Sequence, residues 1–229
     1  MPFYFDYTIL LILPALIISI WAQIKVSYTY KKYSTVFINR SITAADVARG
    51  ILDRNGLQHI RIEHVRGHLT DHYDPRTGVI RLSDSVFNSS SVAAIGVAAH
   101  EAGHAVQYAK NYFPIKIRAA IIPVTRYGSM LAIPLFFIGF LLAQPAFMNL
   151  GIILYSAVAL FQLVTLPVEF NASARALGEL RSNYLKDSEV RGARAVLSAA
   201  AMTYVAALLT SLMTLLRLLI LAGGRGNRR

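Results

Sequence analysis

Residues 127–168 carry no charged side chain, and so long an apolar run fits poorly into a water-soluble core. A bilayer interior about 30 Å thick takes roughly 20 residues of helix, so the run is too long for one crossing and suits two. Gln144-Pro145 and Asn149 interrupt it, which predicts a helical hairpin with a short uncharged turn between Gln144 and Asn149. Two more stretches share this character. Residues 7–24 are uncharged up to Lys25, and residues 196–222 are broken only by Arg217. About four transmembrane helices follow. In the first, Pro14 predicts a kink and Trp21 sits where an interfacial aromatic belongs. Asp6 and the sequence Trp21-Ala22-Gln23 replace the basic start and small-residue cleavage site of a signal peptide, so the segment reads as an uncleaved anchor.

Composition enters where charge must be explained. The chain is 55% hydrophobic and 15% charged, against roughly 25% charged in an average soluble domain. Its 229 residues fit one integral-membrane domain. The net charge of +11 raises the question of nucleic acid, but no recognition motif accompanies it. In a membrane protein a basic excess marks cytoplasmic loops and their attraction to anionic lipid. Thirteen Lys and Arg lie in the polar region 25–118, and five more lie in the connector 169–195. The positive-inside rule therefore places both on the cytoplasmic side. Arg225, Arg228 and Arg229 run against it, because four spans carry the C-terminal tail outside; the larger count decides.

Within the polar region, residues 43–54 read as an amphipathic helix capped by Ser41 or Thr43 and stopped by Asn55-Gly56. Ile60, Ile62 and Val65 alternate with polar residues as in a half-buried strand, and residues 79–82 suggest another after the turn Asp74-Pro75-Arg76-Thr77-Gly78. The two are expected to form a hairpin or small sheet. Residues 83–91 read as a loop, and residues 92–110 as an Ala-rich helix ending before Pro114.

That helix contains His100-Glu101-Ala102-Gly103-His104. Residues four apart share a helix face, so both imidazoles can aim at one metal ion. Glu101, one residue along, can reach a water on that ion without ligating it, as general base for peptide hydrolysis. Gly103 leaves space beside the metal. No cysteine is present, so any metal must use His, Asp or Glu. A chance motif would leave imidazoles and a carboxylate uncompensated in an apolar helix, which a metal resolves. Glu169 is the candidate third ligand, the first charge after the long apolar block; by itself it reads better as an acid marking the membrane boundary. His72 or Tyr73 could donate a hydrogen bond to an oxyanion. His59 and His64 read as half-exposed strand residues. His68 and His72 share the i, i+4 spacing but lie in a predicted loop. Arg126 and Arg217 read as interfacial, snorkelling side chains.

The stretches Gly67-His68-Leu69-Thr70-Asp71-His72-Tyr73-Asp74-Pro75, Ala98-Ala99-His100-Glu101-Ala102-Gly103-His104-Ala105 and Leu163-Val164-Thr165-Leu166-Pro167-Val168-Glu169-Phe170 resemble the YugP-type family of neutral zinc metallopeptidases of bacterial membranes, as does Arg191-Gly192-Ala193-Arg194-Ala195-Val196-Leu197. The order of motifs is also similar to that of integral-membrane gluzincins such as the HtpX heat-shock proteases and the CAAX prenyl proteases. The resemblance implies His100, His104 and Glu169 as ligands of one zinc per chain, with Glu101 as base. Ser173 stands where those relatives carry an aspartate that steadies a ligating histidine, so Ser173, Asn171 or a backbone carbonyl must substitute.

The expectation is a mainly α, multi-pass protein of a bacterial plasma membrane with about four transmembrane helices and a small α+β zincin-like cytoplasmic domain. It would hydrolyse protein or peptide substrates at the cytoplasmic face, in contact with membrane lipid and without nucleic acid. The strand at 60–65 or that near Val79 would pair with extended substrate. The alternative is a non-proteolytic scaffold or chaperone-like protein with a structural zinc, in which Glu101 has no task. Metal transport fits less well, because the apolar block offers few polar ligands.

Overall fold

A computed structural model describes residues 7–39 and 41–226. Its helices are α1 (Leu13–Ser34, after a 3-10 turn at Tyr7–Leu11), α2 (Ala44–Arg54), α3 (Val92–Ala109), α4 (Phe113–Leu141), α5 (Pro145–Asn183) and α6 (Asp187–Gly226). Three strands, β1 (Arg61–Val65), β2 (His72–Asp74) and β3 (Val79–Ser83), stand between α2 and α3. The chain divides into two compact units, one drawn from Ile24–Lys116 and Pro167–Met202, the other from Met1–Gln23, Ile117–Leu166 and Thr203–Arg229.

The first unit holds the larger core. Helix α2 begins at Thr43, whose side chain accepts from the Asp46 N–H while Asp46 reaches back to the Thr43 N–H. This reciprocal cap satisfies two of the donors a helix start leaves unpaired. Val47, Ala48, Ile51 and Leu52 then face inward against Ala94, Ile95, Ala98, Ala102 and Val106 of α3. Ser91 caps α3, its hydroxyl accepting from the Ala94 N–H. The small residues of α3 let other backbones come close; Gly96 lies against Ala193 of α6.

The sheet runs β1-β3-β2, with β1 parallel to β3 and β2 antiparallel to it. Strand β3, in the centre, is buried at Val79, Ile80, Leu82 and Ser83. The expected strands are both present. They pair in parallel, which a hairpin cannot do, and β2 is an addition that the loop-like sequence around His72 did not announce. Because β3 has a neighbour on each side, it cannot take up a substrate strand, contrary to the expectation for the strand near Val79. The turn into β3 needs a positive φ at Gly78 (+64°), which glycine adopts without strain.

In the other unit, Ala132, Phe136, Met148, Tyr155 and Leu218 form a buried cluster. Glycines allow α4 and α5 to touch: a Cβ at Gly151 would lie 2.7 Å from the Ala132 carbonyl oxygen, and one at Gly139 would lie 2.6 Å from the Met148 nitrogen. Such contacts hold membrane helices together where lipid removes the hydrophobic drive. Arg217 Nε donates to Thr8 Oγ1 at 3.2 Å and its guanidinium stands over the Phe137 ring. Arg126 is exposed.

Among the described residues, four helices are long and apolar enough to cross a membrane: Tyr7–Ser34, Phe113–Leu141, Pro145–Asn183 and Asp187–Gly224. The chain is thus mainly helical, as expected, and carries a small sheet of three strands. Boundaries moved. The first helix runs on to Ser34, and Pro14 stands in its first turn, where proline is tolerated because that turn's N–H groups lack intrahelical partners. The hairpin turn is tighter than predicted, since Pro145 already opens α5 and Ala143 alone takes a positive φ there (54°). The predicted connector is the end of α5 and the start of α6, separated by residues 184–186. Arg228, Arg229 and the Arg225 side chain lie outside the described residues.

Asp71, just before β2, accepts from the Ser83 backbone N–H at 2.7 Å and from its hydroxyl at 3.0 Å. Ser83 is fully buried, so Asp71→Ala leaves a buried donor unsatisfied and should destabilise the protein by about 1–3 kcal/mol. Thermal unfolding in detergent measures this, with Asp71→Asn, which keeps one acceptor, expected to fall between.

Candidate metal centre

Helix α3 presents His100, Glu101 and His104, and α5 presents Glu169 and Ser173. The two elements meet at Gly103, where a Cβ would stand 2.6 Å from the Ala172 carbonyl oxygen. The space beside Gly103 is therefore filled by the α5 backbone and is not the opening beside a metal that the sequence suggested. With the backbones this close, Glu169 reaches both histidines. Its Oε2 lies 3.2 Å from His100 Nε2 and 3.6 Å from His104 Nε2, and the imidazole centroids are 4.6 Å apart. One ligand atom from each residue lies within 4.8 Å of the others.

A tetrahedral zinc bound at about 2.1 Å separates its ligand atoms by roughly 3.4 Å, and the two His–Glu distances bracket that value. The donors are the borderline-soft nitrogen and hard oxygen that zinc accepts, and three of them leave a fourth position free. Their side chains are largely removed from water, Glu169 to 3% exposure. The residues fit the ion.

The electrostatics favour a cation. Burial by itself disfavours the charged form of His104, but the Glu169 and Glu101 carboxylates outweigh it and hold the imidazole pKa above its ordinary 6.5. The field that retains a proton there retains a metal ion for the same reason.

Glu101 is buried beside this cluster, and its Oε2 accepts the Tyr73 backbone N–H at 2.9 Å. Tyr73 thus meets the centre through its main chain. Its ring stands edge-on to Tyr108, and burial pushes its phenol up, keeping it protonated and able to donate at neutral pH. The His72 ring is exposed, and its Nδ1 donates to the Thr70 carbonyl at 2.8 Å rather than turning toward the cluster. His64 is paired with Asp84 at 2.6 Å and His68 stands edge-on to Tyr30. Ser173 Oγ lies 3.1 Å from His100 Nδ1, the place its sequence position suggested.

The sequence reading missed Gln107. It is fully buried, and its Oε1 lies 3.0 Å from His104 Nδ1. The signal was present: a glutamine one turn beyond the second histidine, among Ala and Val, has to find buried partners.

The chain matches the family described as "Putative neutral zinc metallopeptidase" over residues 8–223. It is 49% identical over 219 residues to "Putative membrane protease YugP" of Bacillus subtilis (strain 168), covering 95% of this chain and 97% of that relative. No solved structure matches it.

Gly103→Ala forces α3 and α5 apart against a backbone oxygen, which cannot rotate away as a side chain can. It should cost about 1–3 kcal/mol in detergent-phase thermal unfolding and weaken metal retention together with stability. Ala102→Gly, on the same helix without that clash, should leave metal retention closer to wild type.

Proposed function

The chain belongs to the family described as "Putative neutral zinc metallopeptidase", and from that premise we propose that it is a membrane-embedded zinc peptidase with His100, His104 and Glu169 as ligands and Glu101 as general base. The observation that carries the reading is the cluster of these three donors at zinc-compatible spacing, next to a carboxylate that is not one of them. Zinc bound there would acidify a water toward a pKa of about 7 and polarise a peptide carbonyl.

The residues divide the remaining work. The Tyr73 N–H holds Glu101 by Oε2 and leaves Oε1 for proton transfer. Glu101 Oε1 takes a proton from the attacking water as oxygen bonds to the carbonyl carbon, then delivers it to the nitrogen as the C–N bond breaks. Glu169, held among the two imidazoles, stays ionised and offers an oxygen for ligation. Tyr73 follows Glu101 into the site through β2, an outer strand of the sheet, so an extended peptide laid along β2 would run beside the base. The Tyr73 phenol is the donor proposed for the oxyanion, with His72 the secondary candidate. The excess of Lys and Arg in 25–118 and in the connector supports a cytoplasmic site in a bacterial plasma membrane, on a zincin-like α+β unit.

Metal content of detergent-purified protein, measured beside hydrolysis of casein, tests the reading. Wild type should carry one zinc per chain. His100→Ala and Glu169→Ala should lose it, whereas Glu101→Gln should keep it and lose at least about 100-fold in activity, as expected for removal of a general base. Zinc retained with activity indifferent to Glu101→Gln would instead mark a structural ion.

A further inference from the structure

Two groups of fixed hydrogen-bonding sense decide the orientation of Gln107. Its Nε2 lies 2.7 Å from the Val168 carbonyl oxygen and 3.0 Å from Asn171 Oδ1. A carbonyl oxygen only accepts, so the end of Gln107 facing Val168 has to be the amide NH2. A guanidinium only donates, so the Asn171 atom 2.7 Å from Arg175 Nε has to be the oxygen, which also accepts the second amide hydrogen of Gln107. Gln107 Oε1 is left pointing at His104 Nδ1. An amide oxygen cannot donate, so His104 Nδ1 must carry the proton. A neutral imidazole has one N–H, and its lone pair therefore sits on Nε2, the nitrogen facing Glu169.

His100 lacks such a constraint. Its Nδ1 meets the Ser173 hydroxyl, which donates or accepts as required. One histidine of the pair is adaptable, and the other is set from outside.

We propose that Gln107 is the positioning residue that fixes the tautomer and ring orientation of His104, with Val168, Asn171 and Arg175 holding Gln107 in the one orientation that does so. The proposal rests on the zinc-site reading for its consequence, but the tautomer itself is a property of the metal-free protein. Asn171, a sequence candidate for steadying a histidine, acts one step removed. Gln107 does for His104 the outer-shell work that a carboxylate performs on other metal-bound histidines.

The alternative is that Gln107 merely fills a gap in the core, and two substitutions separate the readings because they rank in opposite order. Gln107→Met keeps the volume and loses the acceptor; Gln107→Glu keeps an acceptor for the His104 N–H and loses both donated bonds. Zinc affinity is measured by chelator competition, tautomers by NMR on metal-free 15N-histidine protein at a pH alkaline enough that the His104 imidazole is neutral, with His104 assigned from His104→Ala, and folding by thermal unfolding. Wild type should show the Nδ1–H form at His104. Gln107→Met should shift toward Nε2–H and lose about 10–100-fold in zinc affinity, the usual effect of losing such a contact, while Gln107→Glu stays nearer wild type. If Met fails to fold, Gln107→Asn, too short to reach His104, should show the same shift and loss. Gln107→Met binding zinc as tightly as Gln107→Glu or better, or a wild-type His104 in the Nε2–H form, would overturn the proposal. A wild type that takes up no zinc would remove the metal reading, with the tautomer measurement still deciding the role of Gln107.

Discussion

The centre depends on one backbone contact, that of Gly103 with Ala172. Three donors from two helices far apart in sequence can share an ion only if the helices lie closer than most side chains allow. Glycine at 103 and alanine at 172 permit this, with a prospective Cβ–oxygen distance of 2.6 Å. The other small residues of α3 repeat the principle at lower stringency, as at Gly96 against Ala193. In this way an Ala-rich helix that buries little apolar area per residue gains close neighbours and a rigid position.

Closeness brings an electrostatic problem. Glu169 has a 3% exposed side chain, and Glu101 is buried nearby; two carboxylates taken out of water cost several kcal/mol each unless compensated. The imidazoles of His100 and His104 supply part of the compensation, the Tyr73 N–H supplies another part for Glu101, and a divalent cation would supply the rest. The amide chain from Arg175 through Asn171 and Gln107 extends the order outward. Each link has a single permitted direction, so the arrangement behaves as a unit.

Much of this was legible along the chain because the signals are local. The charge-free run 127–168 dictated a membrane hairpin, Ser41 and Thr43 marked the start of α2, and the His100-Glu101-x-x-His104 spacing put two histidines on one helix face. Strand β2 was illegible, since three residues around His72 have no periodicity of their own and exist as a strand only through pairing with β3. The parallel pairing of β1 with β3 was hidden for the same reason: alternation says that a strand has a face, not which neighbour it takes. Pro14 allows two readings along the chain, because proline kinks a helix interior but is tolerated in a first turn, where the structure places it, and position alone separates the two.

The sequence by itself determined the apolar helices, the capped elements, the placing of His100 and His104 on one helix face and membership in a family whose match spans residues 8–223, because these rest on residue type and short-range spacing. Only the tertiary structure decided that Glu169 meets both histidines, that Gly103 serves helix packing, that Tyr73 contributes its main chain to Glu101, and that Gln107 faces His104. Those are contacts between residues up to 69 positions apart. Their existence depends on how closely two helices pack and which way their faces turn, and neither is written in the order of residues along one of them.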